Sequence, residues 1–246
     1  LPALVVDGDG AQAGVAGAAG ELVLENRDAR PRTLVVEARA WVADALTAHH
    51  VTTMQAFRDM FPAEVLRRDD SAAIDNVTLL FTDLKGSTAL YERIGDGPAY
   101  RLVREHFAFL AGVVRDHGGA LVKTMGDAVM AAFAEPGDAI AAALAMQRMV
   151  ADFNTRQEGG GIVLRVGLHG GPCIAVTSNE RLDYFGTMVN LAARLQGQSQ
   201  GGDIVLSEPL AADPAVLAAI AGLPGGREDA WLKGFDRPVP FLRLTV

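Results

Sequence analysis

Residues Val77 to Thr88 read VTLLFTDLKGST: an apolar, β-rich run, then Asp83, then a Gly-Ser-Thr turn that opens a helical pattern. Val77 to Thr82 is apolar at successive positions, so it belongs to a strand covered on both faces and central in a sheet. A carboxylate at such a strand end, followed by small residues with free backbone N–H groups, can hold a metal and a phosphate side by side. Taken alone, Asp83 reads more simply as a cap or turn residue.

Downstream, the pattern alternates hairpins with crossover helices. Leu90 and Ile94 start a helix that Gly95-Asp96-Gly97-Pro98 interrupts, with Asp96 as cap and Pro98 in the first turn of the next. Val103, Phe107, Leu110 and Val114 keep helical spacing up to Gly118. Ala120 to Thr124 and Ala128 to Phe133 are strands around a Met125-Gly126 turn, and Asp138 begins a further helix. Ile162 to Leu168 and Cys173 to Thr177 are read as a second strand pair around Gly170-Gly171-Pro172. A helix from Thr187 to about Gln198, a strand over Asp203 to Leu206, a helix over Pro209 to Ile220 and strands near Trp231 and Phe241 complete the chain. The order β-α-β-β-α-β-β-α-β-α-β-β predicts an α+β fold: a ferredoxin-like βαββαβ core with a C-terminal α/β extension. The sheet should be mostly antiparallel and flanked by helices.

Upstream the text is thinner. Leu1 to Gly20 is rich in Gly and Ala, and its order is in doubt; Glu21 to Glu25 and Thr33 to Ala38 suggest a hairpin. Trp41 to Arg67 is helical in pattern, with Pro62 as a kink and His49-His50 on a solvated face. RRDDSAAIDN reads as a linker. The expected division is an accessory or regulatory segment over residues 1–70 and a second domain over 71–246.

Composition narrows the function. Of 246 residues half are hydrophobic, enough for a real core. A net charge of −8 speaks against a nucleic-acid partner but not against a nucleotide. One cysteine, Cys173, rules out an intramolecular disulfide and fits a reducing, cytoplasmic setting. No apolar run spans a bilayer. The chain begins at Leu1, as a piece of a longer protein would.

Three clusters can carry chemistry. Asp83 is the first. Asp127, in VKTMGDAVMAAF, is the second: a hairpin beside the first strand lets Asp127 approach Asp83, with Thr124 facing Asp127 and Lys123 on the opposite face. Two such carboxylates favour Mg²⁺ or Mn²⁺ over zinc. Alone, Asp127 reads more simply as a turn residue. The third is LDYFGTMVNLAARL, where Asn190 and Arg194 share a helix face and Met188, Leu191, Ala192 and Leu195 take the other. A solvated helix face is the simpler account of that pair by itself. Asp183 precedes the helix and can accept a hydrogen bond from an exocyclic amine.

Together FTDLKGST, GGALVKTMGDAVMAAF, LRVGLHGG, LDYFGTMVNLAARL and WLKGFDRPV resemble the catalytic domain of class III nucleotidyl cyclases, in the right order from about Asn76 to the C-terminus. The resemblance implies an adenylyl cyclase that converts ATP to 3′,5′-cyclic AMP and pyrophosphate, in a head-to-tail homodimer with shared sites. Asp83 and Asp127 match the metal-binding aspartates, joined by the Leu84 carbonyl, for two Mg²⁺ or Mn²⁺ ions per site. The amides of Lys85, Gly86, Ser87 and Thr88 match the phosphate contacts. Lys123 and Asp183 match the pair that reads adenine, Asn190 the ribose contact, Arg194 the transition-state arginine, and Lys233 a lysine for the terminal phosphates. A short β-arm should lie between Gly171 and Asp183. The alternatives are a guanylyl cyclase, a catalytically inactive nucleotide-binding or dimerisation module, and a metal-dependent phosphohydrolase.

Overall fold

A computed structural model describes residues 3–7, 10–13, 23–26, 47–61, 66, 70–157 and 161–246. Contacts divide the chain into two units, Leu1–Ala45 and Leu46–Val246. The division falls upstream of the boundary expected near Asp70.

In the first unit, β1 (Ala3–Asp7), β2 (Gly10–Ala13) and β3 (Val23–Asn26) form one sheet in the order β2-β1-β3. The Gly/Ala-rich start, whose order was in doubt, thus contributes two strands. Within the run expected over Glu21 to Glu25, β3 pairs in parallel with β1. Its expected partner, Thr33 to Ala38, lies outside the described residues.

The second unit opens with two short helices, α1 (Ala48–Thr52) and α2 (Gln55–Met60), where one helix was expected. The break has a local cause. The Thr52 and Thr53 hydroxyls donate back to the carbonyls of Ala48, His49 and His50, at 2.7–3.3 Å, and cap the turn from within. Pro62 lies outside the described residues.

The expected linker is largely strand. β4 runs from Ser71 to Leu84, its first residues pairing with Cys173–Val176. Then follow α3 (Ser87–Ile94), α4 (Asp96–Asp116, behind Gly95), β5 (Ala120–Met125), β6 (Ala128–Phe133) and α5 (Pro136–Thr155). The β5–β6 turn is Gly126-Asp127, not Met125-Gly126. Thr124 therefore pairs with Val129, and Asp127 sits in the turn itself.

Gly170-Gly171-Pro172 makes no turn either. β7 runs unbroken from Leu164 to Ser178. Pro172 has no N–H for the ladder, and the β4 register shifts between Ile74 and Val77, directly opposite it. The chain turns instead at Asn179-Glu180, both in left-handed conformation (φ 50° and 60°), into β8 (Arg181–Phe185). This hairpin is the expected short arm. α6 (Thr187–Gln196), β9 (Asp203–Ser207), α7 (Glu208–Ala211), α8 (Pro214–Ile220), β10 (Gly225–Ala230) and β11 (Val239–Thr245) follow. The helix expected over Pro209 to Ile220 is split because Asp213 caps α8, accepting from Ala215 and Val216 N–H. Exposed Trp231 lies just past the edge strand expected around it.

The main sheet has the order β10-β11-β9-β7-β4-β6-β5, with β8 on β7. β7-β4-β6-β5 is wholly antiparallel, and β9 joins β7 in parallel. This is the predicted ferredoxin-like core with its extension. β4 is central and alternates: Leu80 and Leu84 face a cluster with Phe133, Ile140 and Leu164, while Val77, Leu79 and Phe81 face one with Met130, Tyr184 and Met188. Helices α4 and α5 contribute to the first cluster and α6 to the second. α6 approaches β7 so closely that a Cβ on Gly167 would lie 2.2 Å from the Gln196 nitrogen. That contact brings the C-terminal end of α6 over the strand that flanks Asp83.

Candidate active site

Asp83 stands at the penultimate position of β4, half-buried, and pairs in register with Arg165 on β7. The Arg165 guanidinium lies 3.8 Å from Asp83 Oδ2. Asp127 arrives from the β5–β6 turn because β6 is the other neighbour of β4. The two carboxylates are close enough to repel. Burial, then the Asp127 charge, push the Asp83 carboxyl above its usual range, against opposing pulls from Leu84 N–H, Arg165 and Gln196. Asp127 Oδ2 is buried and has no partner among the described residues.

Three further groups ring this pair. The Tyr91 hydroxyl is buried, and burial followed by the charges of Asp127 and Asp83 pushes its pKa up to about 12, against an opposing pull from Ser87. His106 is fully buried, with Nε2 3.3 Å from the Asp127 carbonyl; burial lowers its pKa to about 4, so it stays neutral at pH 7. Gln196 lies beside Asp83, with its Nε2 buried. An oxygen-rich, acidic, under-neutralised cluster of this kind suits hard divalent cations.

The loop after Asp83 turns through Gly86 (φ 69°), a left-handed conformation that a side chain there would strain, directly into α3. Ser87 and Thr88 occupy the first helical positions, where backbone N–H groups have no intrahelical acceptor. Lys85 departs from expectation: its N–H is committed to the Val163 carbonyl at 2.9 Å and is not free for a ligand.

A second group forms elsewhere on the sheet. Lys123 Nζ on β5 lies 2.5 Å from Asp183 Oδ2 on β8, and Asp183 Oδ1 accepts from Tyr184 N–H at 2.8 Å. Asn190 and Arg194 are exposed on α6, opposite the buried Met188, Ala192 and Leu195. Lys233 is exposed in the connection between β10 and β11. Among the described residues, no hydrogen bond or ion pair joins Asp83 or Asp127 to Lys123, Asp183, Asn190 or Arg194.

This second group is braced from below. Arg58, 8% exposed, donates to the carbonyls of Thr52 and Leu182 and lies over the Tyr184 ring. Tyr184 donates its hydroxyl to the Thr52 carbonyl at 3.0 Å, and Leu121 N–H donates to Gln55 Oε1 at 2.7 Å. Helices α1 and α2 thereby grip both strands that carry Lys123 and Asp183.

Comparison with known proteins gives this layout a family. Residues 70–212 match the adenylate and guanylate cyclase catalytic domain. The chain belongs to that family. An adenylate cyclase of Mycosarcoma maydis is 31% identical over 202 residues, 72% of this chain but 8% of the relative. Adenylate cyclase 2 of Rhizobium meliloti is 34% identical over 151 residues, 57% of this chain and 42% of the relative. The chain thus spans less than half the length of these cyclases. Among solved structures, the adenylyl cyclase CyaB from P. aeruginosa superposes with a TM-score of 0.62 at 22% identity, covering 72% of this chain and 96% of that one. The guanylyl cyclase Cya2 superposes at 0.60 and 23% identity, over 71% and 92%. The cyclase fold is therefore shared by adenylyl and guanylyl forms alike, and the base must be argued from side chains. No helix among the described residues is long and apolar enough to cross a membrane.

Sequence reasoning missed Arg165, Tyr91, His106 and Gln196 around the cyclase carboxylates. Arg165 had a signal: it is the lone charge in LRVGL, at the strand end that antiparallel register sets against Asp83. The other three need the tertiary fold.

Proposed function

We propose that the chain is an adenylyl cyclase that converts ATP to 3′,5′-cyclic AMP and pyrophosphate at sites shared between two copies of itself. One observation carries the choice of base: the Lys123–Asp183 pair at 2.5 Å. An ammonium donates to adenine N1 and a carboxylate accepts from its 6-amino group. The N1–H and O6 of guanine present the opposite polarity.

Asp83 and Asp127, with the Leu84 carbonyl, would hold two Mg²⁺ or Mn²⁺ ions. The orphaned Asp127 oxygen and the raised Asp83 carboxyl fit that role, since both mark missing positive charge. When bound, such ions make the ribose 3′-hydroxyl more acidic and offset phosphate charge. Gly86, Ser87 and Thr88 present backbone N–H groups to the phosphates, and Lys233 meets the terminal ones. The 3′-oxygen attacks the α-phosphorus in line; the bond from the α-phosphorus to the bridging oxygen breaks and pyrophosphate leaves. The 3′-hydroxyl proton passes to solvent or to a substrate phosphate oxygen. Arg194 stabilises charge developing on the reacting phosphate and Asn190 positions the ribose.

Among the described residues no hydrogen bond or ion pair joins the carboxylates to the base-reading group, which supports completion of each site by a second copy. A homodimer then has two equivalent sites. Purified protein should form cyclic AMP from ATP with Mg²⁺ or Mn²⁺, and much less cyclic GMP from GTP. A preference for GTP, release of linear AMP, or binding without pyrophosphate release would each replace this reading. Mixed Asp83→Asn and Arg194→Ala chains should recover activity that neither has alone. Heterodimers without recovery would count against shared sites.

A further inference from the structure

We propose a second cation site, built from His49, His50 and Glu135 and suited to zinc. One ligand atom from each of these side chains lies within 4.8 Å of the others. In the sequence the adjacent histidines read as a solvated helix face. The fold changes that reading by supplying a carboxylate from 85 positions downstream.

Each ligand is uncommitted at the atom that matters. His49 Nδ1 is buried and has no hydrogen-bond partner among the described residues. His50 Nδ1 is 3.0 Å from Thr47 Oγ1. With Nδ1–H donating to that hydroxyl, the Nε2 lone pair is left for a metal, the usual way a ligating imidazole is oriented. Glu135 is the N-cap residue of α5, yet its side chain makes no capping hydrogen bond. The two rings stand edge to face, 80° apart with centroids at 5.0 Å, so they do not stack against each other. A cavity of about 310 Å³ lies beside His49, lined also by Asp75 and Asn76.

Two imidazoles and one carboxylate are the donor set of borderline ions such as Zn²⁺, with a water in the fourth position. The Asp83–Asp127 pair offers only oxygen. The two sites therefore select different metals, and the inference stands whether or not the cyclase reading holds. An ion here would tie α1 to the start of α5. α1 ends at Thr52, whose carbonyl already accepts from Arg58 and Tyr184. A metal clip at one end and this polar latch at the other would hold the helical pair onto the catalytic unit.

The test is a Co²⁺ titration of the full chain in excess Mg²⁺, followed by visible absorption, with Zn²⁺ competition. One ion per chain should give the intense bands of low-coordinate, nitrogen-ligated Co²⁺ and should be displaced by Zn²⁺. His50→Ala and His49→Ala should each weaken binding at least about 10-fold, and Glu135→Gln should also weaken it. Asp83→Asn should leave the bands unchanged. His50 and Glu135 are exposed, so their variants keep the fold, as thermal melts would verify. No bands, bands that survive the His49→Ala/His50→Ala double substitution, or bands lost with Asp83→Asn would each overturn the site.

Discussion

The two halves of the proposed active site lie on one sheet in opposite electrostatic states. At Asp83 and Asp127, two carboxylates crowd together with one guanidinium 3.8 Å from Asp83, and Asp127 Oδ2 has no partner among the described residues. At Lys123 and Asp183, the charges cancel within the chain, and helices α1 and α2 hold the strands that bear them. On the proposed function, the first half would need cations to complete it, and the second would have to open its ion pair to read a base. The contrast says where free energy is stored: repulsion in the metal half, a pre-formed pair in the base half.

The widest break in that contrast is Asp83→Asn. It should lower cyclic AMP formation by well over about 100-fold, since losing even an outer-sphere metal partner costs about 10–100-fold. The same change should raise the melting temperature of the metal-free protein. The Asp83 carboxyl is held above its unfolded value, so its favourable contribution is present below that value and is lost as pH rises through the raised one. At neutral pH the ionised group is a liability that Asn removes. Melts in EDTA check this; a lower melting temperature would mean the repulsion is not there.

Arg194→Ala comes next, with kcat down about 10²–10³-fold and little change in stability, because the side chain is exposed on α6. Lys123→Ala should act on discrimination. Losing a hydrogen bond to a charged group, about 1.5–3 kcal/mol, should cut the ATP-over-GTP preference about 10–100-fold while metal affinity holds. Equal losses on both nucleotides would show that Lys123 braces the fold and does not read the base.

Much of this was legible beforehand, for identifiable reasons. β4 announced itself because both its faces are apolar, and the carboxylates followed because each ends a strand or fills a turn. What could not be read was cancellation between distant residues. Pro172 looked like a turn because the compensating shift at Asp75-Asn76 is almost 100 residues away. The bracing by Arg58 could not be read either, because its acceptors are the carbonyls of Thr52 and Leu182. A carbonyl acceptor leaves no trace in side-chain type. The short arm was legible only through the family resemblance: β8 is five residues long and begins after two left-handed residues, Asn179 and Glu180, in a segment whose own residue pattern reads as the approach to α6.

A third region calibrates the comparison. Asp203, 6% exposed, accepts from Ser199 at 2.5 Å, from Gln200 and Gly201 N–H, and from Arg243. Burial pushes its carboxyl up, but these bonds together hold it below its usual range. Its stabilisation is therefore present above the ordinary carboxylate pKa and is lost as pH falls through the depressed value. Asp203→Ala should cost about 1–3 kcal/mol, because it strands the buried Ser199 hydroxyl and the Gln200 and Gly201 N–H donors, while Arg243 keeps Glu228 and the Gln198 carbonyl. The acid limb of the stability curve should flatten with it. An unchanged limb would assign acid unfolding to other carboxylates.

The smallest effect should come from the brace. Tyr184→Phe removes one hydrogen bond, hydroxyl to Thr52 carbonyl, and leaves the ring under Arg58. The net cost is about 1 kcal/mol. If α1 and α2 only pack on the sheet, that cost appears as a slightly lower melting temperature with KM for ATP unchanged. If they position the Lys123–Asp183 pair through β8, KM for ATP rises a few-fold while kcat at saturation and KM for the metal stay put. The discriminating readout is therefore the ratio of the two KM changes, because loss of stability alone moves neither in the folded fraction.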